Sequence, residues 1–317
     1  MTLKVGLALG SGASRGWAHI GVIRALEKYG IVPTVVCGCS VGAVVGAAYA
    51  ASRLDSFEGW VRSLTPLEMA RYAGIGFKVG VVNKQRLHDG FIEHICDEDR
   101  TIQSLDKTFG AVATDLQNGR EVWFTKGNVL KAIWASMSMP GVLPAEWFEG
   151  KWLVDGGLVN PVPVSMCRSL GADVVIAVDL NSDIVGKYHR QVAAENAAKE
   201  AKEAKAAEES ESGSASDILG NLKDTFLDYS SRVFSPQSDE ETPPQSPGFF
   251  DILSGSINIM QDRITRSRMA GDPPDVLLSP RLAHLSLMEF YRADEVIQVG
   301  YDLTVEQLGQ IRRELEQ

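Results

Sequence analysis

The run from Ile31 to Ser52 constrains this chain most: 22 consecutive residues carry no charged side chain. That is long enough to cross a bilayer. Pro33, Gly38, Ser40 and Gly42 interrupt its first half, however. The punctuation predicts a buried strand over Pro33 to Cys37, a turn, and a small-residue helix over Val41 to Ser52. A strand without charge on either face belongs inside a parallel sheet.

The flanking sequence repeats the alternation. Leu3 to Leu9 reads as a short buried strand, followed by a Gly/Ser loop and a helix from about Arg15 to Tyr29, stopped at Gly30. Irregular helices fill about 55–107. Phe109–Thr114 and Glu121–Thr125 read as strands around an Asn118-Gly119 turn. A helix at about 128–136, strands at Trp152–Val154 and Asp173–Val178, a helix over Phe249–Met269, a strand over Pro274–Leu278 and a helix over Arg292–Glu316 complete the pattern. The expectation is an α/β fold in three layers: a central, mostly parallel sheet with helices on both faces.

Charge is uneven. The formal net charge is −10, and residues 183–247 hold 13 acidic against 7 basic residues, −6 of that total. This divides the chain into a core at 1–182, a polar acidic insertion at 183–247, and the rest of the folded domain at 248–317. Within the insertion, Ile218, Leu222, Phe226, Tyr229 and Val233 fall at helical spacing, which suggests a docked helix rather than a membrane-surface one, because no basic polar face accompanies them. An acidic chain lacks the electrostatic footprint of a nucleic-acid binder. Four cysteines in 317 residues are too few for a disulfide scaffold. With only Val5 to Leu9 apolar ahead of the Gly10 loop, the N-terminus does not read as a secretory leader, and a cytoplasmic setting is expected.

Two stretches carry chemistry. Gly38-Cys39-Ser40-Val41-Gly42 has the G-x-S-x-G form between a strand and a helix, the setting of a nucleophile elbow. Gly10-Ser11-Gly12-Ala13-Ser14-Arg15-Gly16 joins the first strand to the first helix. Its bare N–H groups suit an oxyanion hole or a dinucleotide phosphate. Arg15 stands where G-x-G-x-x-G requires glycine, and no acidic residue follows at the ribose position, which weakens the nucleotide reading. A serine nucleophile needs a base. His19 falls where it would brace the loop, His189 lies in the insertion, and His88 and His94 precede any plausible acid. Two candidates stay open: His284, in the order Ser…Asp…His, and Asp155 in Leu153-Val154-Asp155-Gly156-Gly157, whose pKa would rise on desolvation. The elbow follows only two strands, earlier than in α/β-hydrolases.

These motifs, in this order, resemble the signatures of the patatin-like phospholipases. Supporting stretches are Ala113–Leu116, Ser136–Gly141, Trp152–Pro163 and Arg268–Asp275, the last similar to the RssA-type, neuropathy-target-esterase-like branch. The loop departs from many members at Ser11 and Ala13, where they carry glycine. The resemblance implies a patatin-like fold and a Ser40–Asp155 dyad without histidine. It also implies an oxyanion hole from the N–H groups of Gly10, Ser11, Gly12 and Val41. Arg15 would fix the loop or form a structural ion pair, and Gly16, Gly38, Gly42, Gly156 and Gly157 would support the motifs. The implied substrate is a lipid or phospholipid ester, cleaved as by a phospholipase A or lysophospholipase, with peripheral contact at the inner face of the membrane. No cofactor or metal is implied. A non-enzymatic regulator or lipid-binding protein on the same scaffold is the alternative function.

Overall fold

In the computed structural model the described residues are 3–72, 83–184 and 249–316. Contacts divide the chain into two units, Met1–Val185 with Leu253–Gln317, and Gly186–Ile252. Nearly all of the second unit lies outside the described residues, and with it the helical pattern from Ile218 to Val233.

The first unit is built on an eight-stranded sheet in the order β5-β6-β3-β2-β1-β7-β8, with β4 also paired to β3. The strands are β1 (Val5–Leu9), β2 (Val35–Cys39), β3 (Thr108–Asp115), β4 (Glu121–Phe124), β5 (Glu146–Phe148), β6 (Lys151–Asp155), β7 (Val174–Val178) and β8 (Val276–Leu278). Strands β3, β2, β1, β7 and β8 run parallel, while β4, β5 and β6 form the antiparallel end.

Side-chain alternation along the strands sorts the core into two layers. Leu7, Leu9, Val36, Phe109, Ile176 and Val178 face the larger one. There they meet Ile20 and Ile23 of α1 (Ala18–Lys28), Val44 and Ala48 of α2 (Val41–Ala50), Ile133 of α6 (Val129–Met137), and Val296 of the last helix, α9 (Ala293–Leu315). Ala8, Cys37, Val112 and Ala177 face the smaller layer, closed by Val164, Met166 and Cys167 of α7 (Val164–Ser169). Helices therefore cover both faces, as the charge-free strands required. The 55–107 stretch supplies α3 (Leu54–Arg62), α4 (Pro66–Tyr72) and α5 (Lys84–His94), and α8 (Phe249–Gly271) follows the insertion. The expected first helix begins instead as a 3-10 turn over Ala13–Trp17. Strand β5 and helix α7 are too short to give a periodic signal and were not anticipated.

Strand β3 has three partners but only two edges. Strand β2 pairs with 108–112, β4 with 111–114 and β6 with 113–115. Since β4 overlaps both others, it holds one edge alone, and β2 and β6 share the other. The end of β6 thus abuts the end of β2, so Asp155 meets Ser40 across 115 residues of chain.

Candidate active site

Both motif loops leave the C-terminal ends of adjacent parallel strands, since Leu9 of β1 is in register with Gly38 of β2. Open α/β sheets present ligand-binding crevices at such ends. Ser40 occupies the joint between β2 and α2 with φ 55° and ψ −124°, a backbone conformation that side-chain-bearing residues rarely adopt. The turn holds because its neighbours lack Cβ atoms. A Cβ on Gly38 would stand 2.3 Å from the Gly42 carbonyl oxygen, and one on Gly42 would stand 2.1 Å from that of Leu9. The Ser40 N–H donates to Ser136 Oγ at 2.9 Å, leaving its own hydroxyl to project.

That hydroxyl donates to Asp155 Oδ2 at 2.5 Å. The other carboxylate oxygen accepts the Gly157 N–H at 2.7 Å. Backbone contacts hold Asp155 in place: its N–H donates to Ser138 O at 3.0 Å, and Thr114 Oγ1 donates to its carbonyl at 2.8 Å. Gly156 lets β6 close onto β3, since a Cβ there would stand 2.2 Å from the Val112 carbonyl oxygen. Burial disfavours the charged carboxylate and raises its pKa from 3.8 to about 6, against the opposing pull of the Ser40 and Gly157 hydrogen bonds. Asp155 is thus ionised at neutral pH yet far more basic than an exposed carboxylate.

The glycine loop is tied down residue by residue. Gly10 N–H donates to Val178 O at 3.0 Å and Ser11 N–H to Pro161 O at 2.9 Å. These two donors, expected in the oxyanion hole, are already spent inside the fold, because the loop lies against the end of β7 and the stretch that precedes α7. Among the described residues none accepts the N–H of Gly12, Ala13 or Val41. Ala13 has φ 50°, the conformation that glycine adopts without strain. Arg15 is buried, with Nε donating to Gly12 O and Nη2 to Asn258 Oδ1, both at 3.1 Å. Burial lowers its pKa to about 10, with Asp183 and Asp179 opposing, so it remains a cation that fixes the loop. His19 braces the same loop through Nε2 and Gly10 O at 2.8 Å, and burial drops its pKa to about 4, so it is neutral near pH 7. Gly16 packs against Val41, where a Cβ would stand 2.2 Å from Cγ2.

Ser40 opens into two spaces. One is an apolar cavity of about 490 Å³, lined by Val41, Val44, Trp60, Leu87, Phe91, Met139 and Leu143 among others. The other is a polar recess between the glycine loop, Asp155 and α8. No described histidine lines either. His284 lies half exposed, bonded to Glu295 at 2.8 Å, and lines neither space. All four cysteines are free and buried, and among the described residues no cluster of His, Cys, Asp and Glu has metal-holding geometry. Sequence reasoning reached Ser136 only as part of the Ser136–Gly141 stretch, with no role, and did not reach Asn258 or Gln261, polar residues of α8 that only packing brings to the site.

Residues 7–168 match the family model described as patatin-like phospholipase. The chain belongs to that family. An NTE family protein of Mycobacterium bovis, itself described as uncharacterized, is 32% identical over 96% of this chain and 91% of its own. Lysophospholipase NTE1 of Pyricularia oryzae is 29% identical over 98% of this chain, which spans 19% of the fungal protein. Among solved structures, VipD from Legionella pneumophila aligns over 97% of this chain at 12% identity and a TM-score of 0.44, too distant to add to the reading. Membership places this patatin-like chain among the hydrolases of lipid acyl esters.

Proposed function

We propose that the chain is a serine acyl hydrolase that cleaves a lipid acyl ester, of phospholipase A or lysophospholipase type, through a Ser40–Asp155 dyad and an acyl-enzyme intermediate. The observation that carries this is the 2.5 Å contact between Ser40 Oγ and a buried Asp155, at the mouth of an apolar cavity. Asp155 takes the hydroxyl proton as Ser40 Oγ attacks the acyl carbonyl, then returns it to the departing alcohol oxygen. The developing oxyanion is met by the unspent N–H groups of Gly12, Ala13 and Val41, beside the N-terminus of α2. The apolar cavity receives the acyl chain. Relatives named lysophospholipase support a single-chain substrate. No helix among the described residues is long and apolar enough to cross a membrane, so the reading includes peripheral contact with the surface that carries the lipid.

The test is hydrolysis of p-nitrophenyl esters across acyl lengths, with fluorophosphonate labelling, by wild type, Ser40→Ala, Asp155→Asn and His284→Ala. Loss of about 10⁴-fold or more is expected in the first two. His284→Ala should stay within about twofold, as for an exposed surface change. Full activity in folded Ser40→Ala, or loss on His284→Ala with Asp155→Asn merely slowed, ends the proposal.

A further inference from the structure

The polar recess beside Ser40 contains a side chain that the dyad does not use. Gln261, on α8, is buried, and its Oε1 accepts from Ser11 Oγ and from Asn181 Nδ2, each at 2.9 Å. The orientation of this amide is fixed by a third atom. Asn181 Nδ2 also lies 3.2 Å from the Ser11 backbone carbonyl, which can only accept, so the Asn181 atom is the nitrogen and the Gln261 atom facing it is the oxygen. The Gln261 Nε2 group is therefore turned the other way, toward the dyad. A Cβ built on Gly157 would stand 2.3 Å from Gln261 Nε2 and 3.0 Å from Asp155 Oδ1, so the two polar atoms flank one point. No described residue accepts a hydrogen bond from Nε2.

The recess that these groups line, together with Ser40, Gly12, Ala13 and Asn258, measures about 10 Å³, room for one water molecule. It meets the apolar cavity at Ser40, Ala13 and Met139, which line both. An acyl chain on Ser40 that fills the cavity leaves its carbonyl carbon open from the recess. An attacking water there would have an acceptor in Asp155 and a donor in Gln261.

We propose that Gln261 positions the water that hydrolyses the acyl-Ser40 intermediate. This rests on the dyad reading above. Nε2 donates to the water oxygen and so holds a lone pair toward the acyl carbon. The water oxygen forms the new bond to that carbon while one of its protons passes to Asp155. The bond from carbon to Ser40 Oγ then breaks, Oγ takes the proton back from Asp155, and the fatty acid leaves. Acylation needs no water, so Gln261 would act on the second half of the cycle alone.

The test separates the two halves. Gln261→Met keeps the volume and removes the amide. Gln261→Glu keeps an acceptor for Ser11 and Asn181, replaces the donor by a carboxylate oxygen, and is compared well above pH 6 so that Asp155 stays ionised. For both, the fluorophosphonate labelling rate of Ser40 should stay within about twofold of wild type, while p-nitrophenyl ester turnover falls about tenfold to a hundredfold. An acyl adduct on Ser40 should then accumulate in the intact mass. Turnover at the wild-type rate without an adduct overturns the inference. So does labelling that slows in step with turnover in both variants, since Gln261 would then merely support the dyad. Failure of wild type to label at Ser40 would remove the dyad reading itself, and is distinguishable because it precedes any comparison of variants.

Discussion

The two spaces that meet at Ser40 are built from opposite materials. The recess is walled by the glycine loop, Asp155 and α8, where Ser11, Arg15, Asp155 and Gln261 are each held by hydrogen bonds. The cavity is walled by Trp60, Leu64, Met69, Phe91, Met137 and Met288, and no charged residue is among its described lining. A polar recess must be held rigidly, because each misplaced donor or acceptor carries a full desolvation cost. An apolar cavity lined by flexible methionines tolerates changes of shape. In the proposed reaction the geometry is thus kept on one side of Ser40 and the accommodation of a chain on the other.

The sharpest way to break that comparison is at Asp155, where rigidity and stability oppose each other. Its folded pKa of about 6 exceeds the ordinary 3.8, so the folded state binds this proton more tightly than the unfolded chain does. Stability is therefore greatest below about pH 4 with respect to this group and declines as the pH rises through 6. Keeping Asp155 ionised at pH 7.5 costs about 3 kcal/mol. Asp155→Asn should abolish turnover and yet raise the denaturant midpoint at pH 7.5, with the gap to wild type closing near pH 4. A gap that is constant with pH, or a destabilised variant, contradicts the buried-base assignment. Wild-type turnover should correspondingly fall as pH drops below about 6, because the protonated carboxyl cannot accept from Ser40.

On the apolar side, Leu87→Trp tests whether the cavity measures the acyl chain. Displacing about two methylenes costs ~1.6 kcal/mol, or about fifteenfold in kcat/KM for the longest esters, with short ones unaffected. Equal loss at every chain length would show that the wall instead supports Ser40. The smallest effect is expected at Ala13, where φ is 50°. Ala13→Gly should stabilise the fold by about 1 kcal/mol in urea denaturation, because glycine adopts that conformation without the Cβ clash. No gain would mean that the loop's hydrogen bonds, rather than its backbone, set the local energy.

The strained serine turn was legible because everything it needs lies within five residues and the strand and helix on either side: two glycines and a serine between them. The three-layer sheet was legible for a similar reason, since charge-free strands have to be covered on both faces. The contact between Ser40 and Asp155 was only half legible. Asp155 and His284 stood as rival bases on the residues alone, and the resemblance to a family favoured the former. What brings Asp155 to Ser40 is the sharing of one β3 edge by β2 and β6, a matter of strand pairing that no local pattern encodes. The glycine loop shows the converse failure. Gly10 and Ser11 were read as donors, but they spend their N–H groups on Val178 and Pro161, carbonyls 150 or more residues away. The apolar cavity had no motif at all, because apolar walls such as Val44, Trp60, Phe91 and Phe290 are interchangeable with ordinary core in any one-dimensional pattern.

By itself the amino-acid sequence determined the α/β architecture, the strained serine turn and the acidity confined largely to 183–247, since each follows from neighbouring residues and short-range stereochemistry. Tertiary structure alone decided which carboxylate faces Ser40, which loop donors stay unspent, and where the Gln261 amide points. Those outcomes depend on contacts between residues 80 to 250 positions apart. Only the folded sheet and its covering helices bring such groups within hydrogen-bonding distance.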